Sequence, residues 1–347
     1  MSAATWLFES NWGEVQVGGT RVSTRLVVTL AGTAVWLALT LIETGSDGVT
    51  AIWTALAFLL PLIVIGSITR SVNVWTLTSM FLAGGFMMGL MLLGSEVFEV
   101  FEDDPNAGSR DFVIPAMEEV FKIAPVLLML WVWRSRWTWT LGATDLLLMG
   151  AAAGAGFGLV EDAYIRERSG WGDSVAFLPI TEEFGGRLIA GHAIWTALAG
   201  LTIGLGLLLR SRGGAALAVA CSGIAWSAMD HIRNNYSSVR SDGFADFLNG
   251  ISADGYVTLY LLIAGVIAVI AADLAVSRGV LPAMPDLQPP AAGQTAESVG
   301  RSWEFRLQKR ALAYAGYQIR RLAEPQRPAP KAAMDALLAS LLASRSP

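Results

Sequence analysis

Cysteine is almost absent: Cys221 is the only one in 347 residues, and it lies within an apolar stretch. A disulfide within one chain and a thiolate metal centre are therefore excluded, so any metal has to be held by histidine and carboxylate. Histidine is nearly as scarce, with His192 and His231 the only two, each at the edge of an apolar segment. Charged residues make up only 15% of the chain, and lysine occurs three times. There is no internal repeat and no glycine-rich phosphate loop, and no nucleic-acid partner is expected. No short apolar run closed by a small-residue cleavage site precedes Leu26, so the first helix is expected to remain as a span.

Long apolar runs are abundant. The chain is 54% hydrophobic with a mean hydropathy of +0.51, which points to a polytopic membrane protein and away from a soluble multidomain one. A spanning helix takes about 20 mostly apolar residues, and about eight stretches qualify: near 26–42, 51–69, 75–94, 112–133, 141–160, 188–209, 215–229 and 256–276. Basic residues alternate between the connections. Arg21 and Arg25, Arg70, Arg134 and Arg136, Arg210 and Arg212, and Arg278 fall on one side, which the positive-inside rule makes cytoplasmic. Acidic clusters fall on the other, among them Glu96, Glu99, Glu102, Asp103 and Asp104, together with the longer stretches 161–187 and 230–255.

The expected fold is all-α, a polytopic transmembrane bundle in the bacterial cell membrane with both termini cytoplasmic. Its divisions are an N-terminal cytoplasmic segment 1–23, a transmembrane domain 24–276, a Pro/Ala-rich linker 277–300 and a helical tail 301–347. The tail reads as a basic amphipathic helix with Trp303, Leu307, Tyr314 and Ile319 among its apolar residues. Such a helix lies on the inner leaflet or serves as a solvated regulatory or partner-binding element. Gly150, Gly154 and Gly158, and Gly200 with Gly204, are spaced for close helix packing.

Charges inside a span cost roughly 2.5–3.5 kcal/mol each on insertion scales and mark a functional interior. Glu118, Glu119 and Lys122 stand inside VIPAMEEVFKIAPVLLMLWVW. At four residues' separation Lys122 shares a helix face with Glu118, whereas Glu119 points about 100° away and needs another partner. On the alternating topology Glu118 and Glu119, Glu161 in FGLVEDAY, His192 in LIAGHAIW and His231 in SAMDHIRNN all reach the same outer depth. Glu161, His192 and His231 make a three-ligand zinc set with a position open for water, and Glu118 or Glu119 is placed to take the water's proton. Asn235 faces the same pocket if the helix continues past NNYSS, where it would donate to a developing oxyanion. Glu182 and Glu183 lie in a polar outer loop and read as solvated.

These residues resemble a known family. EEVFK is similar to the EExxK motif of the PrsW intramembrane proteases, FGLVE to their FxxxE motif, His192 through Gly200 to HxxxxxxxG, and His231 to the final histidine, in the same order. The resemblance covers roughly 112–235. It implies a glutamate-dependent peptidase related to CAAX prenyl endopeptidases and bacteriocin-immunity proteins. It further implies cleavage of a single-span substrate, such as a membrane-anchored anti-sigma factor, on the outer side of the lipid bilayer. Asn235 stands where the family commonly has aspartate, as in the CAAX branch, and Tyr164 follows Glu161 by three residues where four are usual. Zinc and a metal-free, glutamate-activated water both remain open on these motifs, and the oligomeric state is not encoded in them. Two other readings stand beside this one: a transporter, immunity or scaffold protein using the charges as a relay, and a CAAX-type prenyl peptidase.

Overall fold

The computed structural model describes residues 14–17, 20–23, 31–35, 37–38, 41–42, 45–100, 109–132, 138–169, 180–183, 187–280, 296–321 and 328–343. The chain is a helical bundle. Its main helices are α1 (Ser46–Gly66), α2 (Val74–Val100), α3 (Ile114–Val132), α4 (Ala143–Ser169), α5 (His192–Leu208), α6 (Gly214–Val239), α7 (Gly243–Ser252), α8 (Tyr256–Val280), α9 (Ala296–Arg321) and α10 (Pro328–Ala343). Two antiparallel hairpins, β1 (Glu14–Val17) with β2 (Thr20–Ser23) and β3 (Ile180–Glu183) with β4 (Arg187–Ala190), add strands to a fold expected to be purely helical. The second hairpin lies in the stretch read as a solvated loop, with Glu182 and Glu183 on β3.

Among the described residues, five helical stretches are long and apolar enough to cross a membrane: Gly48–Gly66, Val74–Met91, Ala143–Ala163, Gly214–Ser238 and Gly243–Val280. The chain is thus a multi-pass membrane protein. Of the eight expected spans, the one at 26–42 falls only partly on described residues. Those at 112–133 and 188–209 correspond to α3, which carries three charges, and α5, which is a shorter apolar helix. The large apolar residues left exposed, among them Trp53 and Val64 on α1, Phe86 on α2, Trp131 on α3 and Ile267 on α8, are the surface such a bundle turns to lipid.

Helix α4 is the axis of the bundle. Nearly all of its span is buried, and it packs against α1, α2, α3, α5 and α8. A helix enclosed on all sides needs small residues, and the expected glycine stripe supplies them. A side chain at Gly150 would strike the Thr196 carbonyl, and one at Gly200 the Leu146 carbonyl, so α4 and α5 meet backbone to backbone. Gly158, the last of the stripe, lies under the His192 ring, whose Cδ2 would be 3.2 Å from a Cβ there.

One end of the bundle is closed by a polar network. Asp145 accepts hydrogen bonds from the Ser71, Val72 and Gly142 amides, and Asp273 of α8 accepts from Ala143 and Thr144, capping the first turn of α4 from another helix. Helix α9 docks onto the same end. Arg310 donates to the Ser67 and Arg70 carbonyls, Tyr314 to Thr69, Gln318 to Leu207 and Arg320 to Gly279, so α9 satisfies carbonyls where α1, α5 and α8 terminate. Leu307, Leu312 and Tyr314 are buried. The apolar face expected to meet lipid or a partner is therefore divided between the bundle core, which takes Tyr314, and α10, whose Met334, Leu337 and Leu338 pack on Leu312. Trp303 lies among residues whose side chains are outside the described set.

At the opposite end, α6 continues through NNYSS to Val239, where the bundle buries Tyr236 and Ser237. Asp242 caps α7 through the Phe244 and Ala245 amides and accepts from the Tyr236 hydroxyl. The amide and hydroxyl bonds hold its carboxyl below the usual carboxylate range, so the stability this cap contributes is full above that range and is lost as pH falls below it through the lowered folded value. The α7–α8 turn uses positive φ at Ala253, Asp254 and Gly255, and only glycine fits at 255, against the Leu188 carbonyl.

Gly200→Val should lower stability by about 1–3 kcal/mol by overpacking the α4–α5 contact. Gly279→Ala, at an open helical position, should be neutral or stabilising by up to about 1 kcal/mol. Thermal unfolding in detergent compares the two.

Candidate active site

Helix α3 brings Glu118, Glu119 and Lys122 into the interior, and Lys122 is completely buried. Its Nζ lies 2.5 Å from Glu119 Oε1 and 3.9 Å from Glu118 Oε2. The lysine thus neutralises Glu119 at i+3, where the sequence pointed to Glu118 at i+4. Both spacings are within reach on a helix; Glu119 wins because it faces the interior, where His231 also meets it.

His231, on α6, places Nδ1 2.9 Å from Glu119 Oε1 and Nε2 3.7 Å from Glu118 Oε2. His192, the first residue of α5, places Nδ1 2.6 Å from Lys122 Nζ and Nε2 2.8 Å from Glu161 Oε2 of α4. Lys122 also stands 5.2 Å from the Phe157 ring centroid and 5.1 Å from that of Trp195, in cation–π range. Three carboxylates, two histidines and a lysine from four helices therefore form one contiguous cluster, at the end of the bundle away from α9.

Ligand atoms of Glu118, His192 and His231 all lie within 4.8 Å of one another. This triad differs from the expected set, in which Glu161 took the place of Glu118. Glu161 instead leans on the far nitrogen of His192. Among the described residues, two buried carboxylate oxygens, Glu118 Oε2 and Glu161 Oε2, accept no hydrogen bond, although Glu161 Oε2 lies 2.8 Å from His192 Nε2. Unsatisfied buried oxygens facing imidazole nitrogens suit a cation or a water.

A divalent metal fits these residues. His231 turns Nδ1 to a carboxylate and leaves Nε2 toward Glu118, the usual posture of a ligating histidine. At His192 the Nδ1 atom meets a lysine ammonium, a donor, which puts the ring proton on Nε2. Ligation through Nε2 requires that proton to leave, in keeping with the proton release that accompanies metal binding.

The sequence model of the PrsW family of intramembrane metalloproteases matches residues 72–271. The chain belongs to that family. Comparison with curated proteins and with solved structures gives no match. As a PrsW-family member the chain is an intramembrane protease, and every residue of the cluster lies within the matched region.

Asn235 stands one turn beyond His231 on the continuous α6. It is half-buried, with Oδ1 accepting from Asn234 and its carbonyl from Ser238. Among the described residues no hydrogen bond joins it to the cluster. Tyr164 has no described side chain. Sequence reasoning missed Trp195, whose ring stacks on His231 at a centroid distance of 4.4 Å, and Asp230, fully buried beside His231 in the chain. The signals were present in the quoted segments, as a tryptophan three residues after His192 and a lone aspartate in an apolar helix.

Lys122→Met should destabilise the PrsW fold by about 3–5 kcal/mol, because it leaves Glu119 buried without its counter-charge. The double variant Lys122→Met/Glu119→Gln should recover most of that loss. A double-mutant cycle on unfolding in detergent reads the coupling.

Proposed function

We propose that this PrsW-family protease hydrolyses a peptide bond of single-span membrane proteins near the outer membrane face, with membrane-anchored anti-sigma factors as the substrate class that the family resemblance implies. The observation that carries the reading is convergence. Glu118, Glu161, His192 and His231 meet in one buried cluster, as hydrolysis needs, whereas an ion relay would string its groups across the membrane. The outer location rests on the alternation of basic and acidic connections, with Arg70 and Arg210 at the α9 end of the bundle and the cluster at the other. The same alternation puts both termini in the cytoplasm, with residues 24–276 as the protease domain and α9 as part of a cytoplasmic tail.

Glu118, His192 and His231 are the residues that would hold a zinc ion, and such an ion supplies Lewis acidity toward the scissile carbonyl and acidifies water. Glu161, whose Oε2 accepts no hydrogen bond among the described residues, is the general base. It takes a proton from the attacking water as the oxygen bonds to the carbonyl carbon. It then returns that proton to the amide nitrogen as the carbon–nitrogen bond breaks. Glu119 accepts from His231 Nδ1 and fixes the ring, and Lys122 balances the Glu119 charge. Relative to the sequence reading, Glu118 and Glu161 exchange roles, because Glu118 is the carboxylate within reach of both histidines.

The test compares new protein N-termini and shed ectodomains in cells carrying wild type, Glu161→Gln or Glu118→Gln at equal membrane levels. Fragments cut near the outer face in wild type alone are expected, with both variants reduced by at least about 100-fold, the scale of a lost acid–base catalyst. Fragments unchanged in both variants would overturn the assignment. Cuts confined to prenylated cytoplasmic tails would instead favour the CAAX-type reading.

A further inference from the structure

We propose that Asp230 is a positioning residue that fixes the plane of His231 through Trp195, an inference that rests on the peptidase reading above. Asp230 precedes His231 on α6, but its carboxylate points away from Glu119, toward α5 and α8. Oδ2 accepts from Trp195 Nε1 at 2.9 Å and from Thr258 Oγ1 at 2.7 Å, and Oδ1 accepts from Arg233 Nε at 2.8 Å. Thr258 in turn accepts from Trp226 Nε1 at 2.9 Å. Asp230 and Thr258 have no exposed surface, and Trp195 and Arg233 have 1%.

What this network grips is the indole. The Trp195 ring is stacked on His231, with an interplanar angle of 21°, and meets His192 edge to face at 5.5 Å. It is also one of the two aromatic faces toward Lys122. A single side chain thus touches three members of the cluster. A buried indole N–H needs an acceptor, and a charged acceptor gives the stronger and more directional bond. The Asp230 charge is itself matched by Arg233, which ties the assembly to the Leu188 carbonyl of β4, four residues before His192. The Leu188 amide donates to Asp254 in the α7–α8 turn, so the strand that leads into His192 and the helix that carries His231 are referenced to one carboxylate. Outer groups of this kind tune the geometry of a hydrolytic site without touching substrate.

The chain's two histidines make the test direct. Full-length protein carrying isotopically labelled histidine in nanodiscs gives two imidazole signals, and the one from His231 is displaced by the ring current of Trp195. Asp230→Asn removes the charge at nearly constant shape. Trp195→Phe keeps an aromatic ring and leaves the Asp230–Arg233 pair intact, should the first variant fold poorly. The proposal expects each variant to move the His231 signal. It also expects kcat on a cleaved transmembrane peptide to fall about 10–100-fold, with KM within about twofold; the unfolding midpoint stays near wild type in Trp195→Phe and falls in Asp230→Asn, which leaves Arg233 buried without its counter-charge. It is overturned if the His231 signal stays in place, if kcat is retained in the folded variants, or if activity in Trp195→Phe falls only together with the unfolding midpoint and broadening of both signals. Should wild type cleave no peptide, the peptidase reading fails separately, and movement of the His231 signal alone upholds or overturns the positioning.

Discussion

A lysine ammonium with no exposed surface must be matched by charge from the protein itself, and at Lys122 that requirement organises the whole cluster. Glu119 supplies the charge, and two aromatic faces and two imidazole nitrogens fill the remaining approaches. Once Glu119 is committed to Lys122 and His231, Glu118 is left with an oxygen that no described residue satisfies. Adjacent glutamates on one helix thereby become different groups, one holding the arrangement together and the other available to a cation or a water. The difference comes from the direction each faces, because the residue type is the same.

That division of labour needs a rigid frame. The small residues of α4 let α5 approach until their backbones touch, which sets His192 over Gly158 and beside Glu161. Long α6 carries His231 to the same level from the other side. The opposite end of the bundle is locked by Asp145, Asp273 and the docked α9, whose polar side chains meet the carbonyls left by three terminating helices. In a membrane, where unsatisfied backbone groups are costly, closing one end this thoroughly leaves the other free to carry unsatisfied carboxylates.

Much of this was legible in the sequence, and the unread parts have physical reasons. Apolar length gave the five stretches that qualify as spans out of the eight expected, and charges inside an apolar helix pointed to Glu118, Glu119 and Lys122. The alternation of basic connections put Glu161, His192 and His231 at their level, and the ordered motifs pointed to the family that the matched region establishes. Which glutamate Lys122 takes was not legible, since spacings of three and four are equally good on a helix. Helix α9 looked free because its apolar residues are periodic; periodicity reveals a face but not what covers it. Trp195 and Asp230 went unread because an indole and an aspartate acquire their roles only through contacts between α5, α6 and α8.

The central claim is that Glu118, His192 and His231 act as one metal-holding set within a single hydrolytic cluster. X-ray absorption spectroscopy on the purified, zinc-loaded chain tests this most directly. The account predicts one ion per chain, with two imidazole nitrogens and carboxylate oxygen in its shell, and loss of that signature in a His231→Ala variant. A shell without imidazole, or zinc binding that His231→Ala leaves intact, would contradict it.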